Sequence, residues 1–153
     1  MNQKRLAQIK RHEGEKLRAY LCTSGHWTIA CGYNLDANPL HLSDFEIAEF
    51  KKHGITQRIS DHLTNLIISQ IEIDLSKKLK WFDALDETRQ TVLVNMAYNM
   101  GINGLLGFKN TLLAVEHGDF ELAAKGMLAS RWATQVHGRA TELATQMKTG
   151  VYA

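Results

Sequence analysis

Leu63, Ile67, Ile71, Leu75 and Leu79 recur every four residues among polar and charged neighbours, and Leu66 and Ile68 widen the stripe. That spacing predicts an amphipathic helix. Ser60 can accept from the free N–H groups of its first turn, Asp61 suits its positive end, and Lys77, Lys78 and Lys80 suit its negative end. About twenty helical residues span ~30 Å, enough to connect two lobes. A shorter helix is predicted over residues 3–12, where Leu6 and Ile9 share a face opposite Lys and Arg, with its end near Gly14. Between Leu17 and Leu35 the period changes. Aromatic and β-branched residues alternate between glycines, which predicts two or three short strands turning at Ser24-Gly25 and Gly32.

Asp36 to Pro39 reads as a turn, and residues 40–58 as an irregular helix followed by a loop at Gly54. Beyond Trp81 the pattern is helical throughout. One helix is capped by Asp86 and ended by Gly101, with Gly104 and Gly107 linking onward. Another covers Thr111 to Glu116, a third Phe120 to Arg131 after Asp119, and the last Arg139 to Lys148. The expected architecture is α+β and predominantly α-helical, with two lobes in a single domain. The N-terminal α+β lobe takes about residues 13–60 and the connecting helix about 60–80. The helical C-terminal lobe takes about 81–153 and carries the N-terminal helix with it. Repeats, low-complexity tracts and linkers are not evident.

Composition narrows the function classes. The chain has 153 residues, 44% hydrophobic and 22% charged, which suits a soluble globular protein with an ordinary core. A net charge of +2 does not argue for nucleic acid, although a pI near 8.6 favours loose attraction to an anionic polymer such as a bacterial wall. The basic N-terminus lacks the apolar run of a secretory signal, and no stretch reaches the ~18 apolar residues of a membrane span. The chain is therefore expected to be made in a cytoplasm without an export address of its own. Two cysteines do not make a disulfide framework, and a hairpin turning at Ser24-Gly25 sets Cys22 opposite the neighbourhood of Trp27 rather than Cys31. The seven histidines include no helical His-x-x-x-His pair and there is no Cys-x-x-Cys, so no metal site or cofactor is expected.

An acid, a thiol and a hydroxyl (Glu13, Cys22 and Thr28) fall where a small hairpin would hold them near one another. Each has an ordinary reading. Glu13 faces the negative end of its helix and could simply pair with Lys10 or Arg11. Thr28 suits a strand by propensity, and Cys22 can be a small hydrophobe.

A resemblance favours the functional reading. Glu13, eight residues, Cys22, five residues, Thr28 resembles the catalytic triad of the T4-type phage lysozymes (glycoside hydrolase family 24), whose middle position is Asp or, in some members, Cys. The surrounding Glu-Gly-x-x-Leu-x-x-Tyr and Trp-Thr-Ile-x-x-Gly match as well. Val92 to Gly107 with Phe108-Lys-Asn-Thr is similar to the family's Asn-Met-x-aromatic-x-Met-Gly…Gly-Phe-x-Asn-Ser/Thr segment. Ser130-Arg131-Trp132, Gly138-Arg139-Ala140 and Thr149-Gly150 also resemble family segments. The likeness covers nearly the whole chain and is weakest from Asn38 to Ser60.

The resemblance implies a lysozyme-like fold and cleavage of β-1,4 bonds between N-acetylmuramic acid and N-acetylglucosamine. Glu13 would be the general acid in a cleft between lobes, Arg139 would support it, and Thr28 would hold the attacking water. Cys22 would assist that water or, as a thiolate close enough to the sugar, attack it directly; a free thiol with its ordinary pKa is a poor base at neutral pH. Tyr98, Asn99, Thr111 and Arg131 would contact substrate. Asn34, Gly126, Tyr33 and His12 depart from the residues common at their positions. The expected protein is a monomeric muramidase endolysin whose only partner is peptidoglycan. It would not bind nucleic acid or insert into membrane, and it would wait in the host bacterial cytoplasm until a holin releases it to the wall. A lytic transglycosylase would need the acid but not Cys22. A non-catalytic wall-binding protein would bind sacculi without clearing them.

Overall fold

The computed structural model describes residues 2–153. Its elements are α1 (Gln3–Glu13), β1 (Lys16–Leu21), β2 (Trp27–Ala30), β3 (Tyr33–Asn34), α2 (Asp44–His53), α3 (Gln57–Lys78), α4 (Glu87–Leu106), α5 (Lys109–Glu116), α6 (Phe120–Leu128), α7 (Arg131–Val136) and α8 (Gly138–Thr149). A 3-10 turn over Phe82–Ala84 precedes α4. The fold is α+β and mostly helical, and its sheet is a three-stranded antiparallel meander in the order β1-β2-β3. The chain packs as two compact units, residues 1–70 and 71–153, with the boundary inside α3.

In the first unit, α1 begins where the Asn2 side chain accepts from the Arg5 N–H and stops at Gly14, whose φ of 74° a side chain would strain. The strands predicted between residues 17 and 35 form as expected. Tyr20 pairs with Thr28 and Leu21 with Trp27 in the first hairpin, and Ile29 pairs with Tyr33 in the second. Cys22 lies one residue past the last pair, its N–H donating to the His26 carbonyl at 3.0 Å. Ile29, Ala30, Tyr33 and Leu35 form a buried cluster capped by Ile47 and Phe50 of α2 and Ile67 of α3. The segment after β3 is a turn, as predicted, and side chains order it. Tyr33 Oη donates to Asn38 Oδ1 at 2.8 Å and accepts from the Leu40 N–H at 3.1 Å. Asn38 in turn accepts from the Leu42 N–H at 2.9 Å and donates to its carbonyl at 2.8 Å. An aromatic hydroxyl and one amide thus order a segment that its sequence marks only as a turn.

After α2, Gly54 turns the chain back at φ 75° so that the Ile55 N–H reaches the Leu17 carbonyl at 2.8 Å. A Cβ at Gly54 would lie 2.6 Å from that carbonyl oxygen. Gly54→Ala therefore combines a backbone clash with an unfavourable φ, and a loss of about 1–3 kcal/mol is expected. Thermal unfolding checks this; a Tm equal to that of the parent would mean the turn relaxes freely.

The long helix is capped four residues before the predicted position. Thr56, not Ser60, accepts from the first turn (Ile59 N–H, 3.2 Å), and helix α3 opens at Gln57. Ser60 is fully buried inside the helix and its hydroxyl donates to Glu15 at 2.6 Å. Because the helix begins at Gln57, Ser60 lies within its first turn, and its hydroxyl is directed to a tertiary partner. Leu63, Ile68, Ile71 and Leu75 are buried as predicted, but Leu66 is 39% exposed and lies outside the stripe.

In the second unit, Asp86 caps α4 by accepting from the Arg89 N–H. Residues Thr91 to Ala97 are buried in unbroken succession, as in a helix covered on all sides. Gly101, at φ 82° and ψ 161°, breaks the helical path where an end was predicted, and residues 102–106 resume it. Helix α8 packs against α4, α6 and α7, and α5 against α6. The helix predicted from Phe120 to Arg131 is instead two. Helix α6 ends at Leu128, and Ser130 caps α7 by accepting from the Ala133 N–H. Ser130 Oγ also donates to the Met127 carbonyl at 2.6 Å, closing one helix while opening the next.

Candidate active site

Glu13 is the last residue of α1 and is half-buried. Of the two cations suggested as its ordinary partners, Lys10 and Arg11, Lys10 is engaged with Asp61 and Glu15. Lys10 Nζ lies 2.8 Å from Asp61 and 3.6 Å from Glu15. Gln57 Nε2 donates to both Glu15 (2.8 Å) and Asp61 (2.9 Å). Hydrogen bonding and opposite charge hold Lys10 above the usual ammonium value and Asp61 below the usual carboxylate value. The network ties α1, the entry to β1 and the start of α3 together, and so fixes the backbone that presents Glu13. Neither Glu15 nor Ser60 stood out in the sequence as part of this frame.

Cys22 and Thr28 are brought together by the first hairpin. Thr28 is 5% exposed, faces the same side as Tyr20, and donates from Oγ1 to the His26 carbonyl at 2.9 Å. The Cys22 sulfur lies 3.2 Å from Ser24 Oγ. Hydrogen bonding, chiefly by the Ser24 hydroxyl and next by the His26 backbone, lowers the Cys22 pKa to about 6. At pH 7 such a group is mostly thiolate. An ordinary thiol would be almost wholly protonated there, so the turn itself alters what Cys22 can do.

Cys31 contrasts with it. It is fully buried, and desolvation raises its pKa, so it remains a thiol at neutral pH. Neither cysteine forms a disulfide.

The remaining candidates belong to the second unit. Arg139 donates from Nε and Nη2 to Asn95 Oδ1, at 2.9 and 2.7 Å, and Asn95 is itself fully buried. The two bonds hold the guanidinium plane in one orientation. Asn99 is exposed, with Oδ1 accepting from the Trp132 indole N–H at 2.7 Å, and Trp132 meets Phe108 edge-to-face with centroids 6.1 Å apart. Tyr98 beside it is half-buried, and Arg131 is exposed at the first position of α7. Thr111 is 6% exposed, and a Cβ at Gly126 would lie 2.5 Å from its hydroxyl. Gly126 therefore makes the room that this hydroxyl occupies. Among the described residues no helix is long and apolar enough to cross a membrane, and no three potential ligands cluster as for a metal ion.

Comparison with known proteins bears on the chain as a whole. A family model described as Phage lysozyme matches residues 10–147. The chain is 30% identical over 161 residues to "Probable T4-type lysozyme 1" of Dictyostelium discoideum, covering 93% of this chain and 92% of that protein. It is 29% identical over 146 residues to an "Endolysin" of Acyrthosiphon pisum secondary endosymbiont phage 1, covering 94% and 87%. It is also 29% identical over 156 residues to "Pre-baseplate central spike protein Gp5" of Enterobacteria phage T4; there it covers 93% of itself but spans only 27% of the spike protein. A match across residues 10–147 takes in the end of α1, the sheet and helices α2 to α7 together with most of α8, and on it the chain belongs to the phage lysozyme family.

Proposed function

We propose that this protein is a muramidase that hydrolyses the β-1,4 bond between N-acetylmuramic acid and N-acetylglucosamine in peptidoglycan. The observation that carries the reading is the hairpin, which joins a low-pKa thiol at Cys22 to the Thr28 hydroxyl in a chain of the phage lysozyme family. Glu13 protonates the leaving glycosidic oxygen as an oxocarbenium-like centre develops. Thr28, whose own proton is given to the His26 carbonyl, accepts a hydrogen bond from the attacking water. Cys22 as thiolate takes the second proton from that water as its oxygen bonds to the anomeric carbon. Arg139 is assigned a supporting role, and Tyr98, Asn99, Thr111 and Arg131 are assigned to contacts with the glycan and its peptide. The lysozyme and endolysin relatives, which the chain spans almost whole, support the activity. We extend the reading to host lysis, in which a holin gives this monomeric enzyme passage from the host cytoplasm to the wall. Neither metal nor cofactor takes part.

Digestion of purified sacculi followed by mass spectrometry of the muropeptides is expected to give reducing ends carrying one added water. Products ending in 1,6-anhydro-muramic acid would overturn hydrolysis in favour of transglycosylation. Binding to sacculi under reducing conditions without any clearing would overturn enzymatic activity altogether. Anomeric proton spectra during early turnover separate the two roles open to Cys22. An inverted product fits a thiolate that activates water, and a retained one fits direct attack by sulfur on the sugar.

A further inference from the structure

The turn between β1 and β2 does more than reverse the chain. The Gly25 N–H donates to the Cys22 carbonyl at 2.9 Å with Gly25 at φ 82°, and Cys22 N–H closes onto His26 at 3.0 Å. The result curls residue 24 back over residue 22, so that two hydroxyls flank one sulfur: Ser24 from the turn and Thr28 from β2. They are not equivalent. A hydroxyl has one proton and two lone pairs, and the Thr28 proton is directed to the His26 carbonyl at 2.9 Å. Thr28 can donate to the sulfur only by abandoning that bond. Ser24 Oγ, 3.2 Å from Sγ, can donate to it with no rearrangement of the strand.

We propose that Ser24 is a positioning residue of the site: its hydroxyl donates to the Cys22 sulfur and holds it in one orientation, leaving the Thr28 lone pairs to water. This rests on the reading of Cys22 as a working residue. Ser24 does not touch the reacting atoms and acts only through the sulfur. In water-activating terms the labour is divided, with one hydroxyl serving the base and the other serving the nucleophile.

Other titratable or charged groups stand on the elements around the turn. Glu13 ends α1, His26 Nδ1 is 3.6 Å from Asp36, and Lys51 of α2 is 4.0 Å from Asp36. The test must therefore read Cys22 itself and not only activity. In a Cys31→Ser background, the rate of iodoacetamide alkylation against pH reports the Cys22 thiolate directly. Ser24→Ala is expected to move the midpoint up by about one pH unit, which is about a tenfold slower alkylation below it. Ser24→Thr, which keeps the hydroxyl, is expected to restore the original midpoint. The acid limb of kcat/KM on sacculi is expected to shift in the same direction and to recover with Thr.

An unmoved midpoint in Ser24→Ala would overturn the proposal. So would a uniform fall in activity at every pH that Thr does not repair, because that is the mark of a disturbed turn. A midpoint that moves while the activity profile stays put would uphold the hydrogen bond. It would also remove Cys22, and Ser24 with it, from the reaction.

Discussion

Glu13→Gln is expected to lower turnover on sacculi by about 10²–10⁴-fold, the range that a positioned general acid contributes. Glutamine keeps the size and hydrogen-bonding reach of the side chain but has no proton to give the leaving oxygen. The half-buried position at the end of α1 is supported by residues other than Glu13, since the Lys10–Asp61–Glu15–Gln57–Ser60 network fixes the adjoining backbone. Folding should therefore survive the change, and circular dichroism with sacculus binding gives the control. The readout is the release of reducing ends. If Glu13→Gln clears sacculi at more than about a tenth of the parent rate, Glu13 is not the acid.

The second large effect concerns Cys22. On the proposed mechanism, Cys22→Ala is expected to lose about 10²-fold or more, since it would remove the base while leaving Thr28 in its strand. Cys22→Asp should retain or raise activity, because a carboxylate supplies the same function. The pH dependence gives the sharper discrimination. The Cys22 thiol is held down to about 6 by hydrogen bonds from the turn, so its basic form predominates above that value and is lost as pH falls through it. An Asp with an ordinary pKa near ~4 stays ionised about two pH units lower. The acid limb of the activity profile should thus move downward in Cys22→Asp. Alkylation of Cys22 in the Cys31→Ser background should abolish turnover, and a glycan analogue in the site should slow the alkylation. Full activity in Cys22→Ala would dismiss the thiol from the mechanism.

Much of the fold was legible because its signals are local. Gly14, Asp86 and Gly101 stand where a helix must end or begin, and the alternation from Leu17 to Leu35 reads directly as strands. The misreadings share one physical origin. Ser60 next to Asp61 has the local form of a helix start, yet its oxygen serves Glu15, 45 residues away in sequence. No periodicity reports such a bond. Ser130 closes α6 and caps α7, and a continuous apolar pattern hides that double use. Leu66 fits the stripe by spacing but points to solvent.

The candidate site divides in the same way. The positions of Glu13, Cys22 and Thr28 were recognisable as a pattern of residue types. The state of the thiol was not, because it depends on Ser24 curling back over the turn and on where a single hydroxyl proton goes. Tyr33, by contrast, looked like a departure from a family residue. In the molecule it anchors the 36–42 segment through Asn38, a role that needs the loop's three-dimensional path to be seen.

The return of the chain at Gly54 has a consequence for behaviour in crowded solution. In a sheet ordered β1-β2-β3, the outer side of β1 is an edge, and exposed edges invite pairing with strands of other molecules. Ile55 occupies the Leu17 carbonyl on that edge, and the charges of Lys16 and Arg18 flank it on the same strand. The segment that follows α2 therefore acts as a guard rail. It denies the flank of the hairpin to stray strands while leaving the turn at residues 22–26 uncovered by that segment.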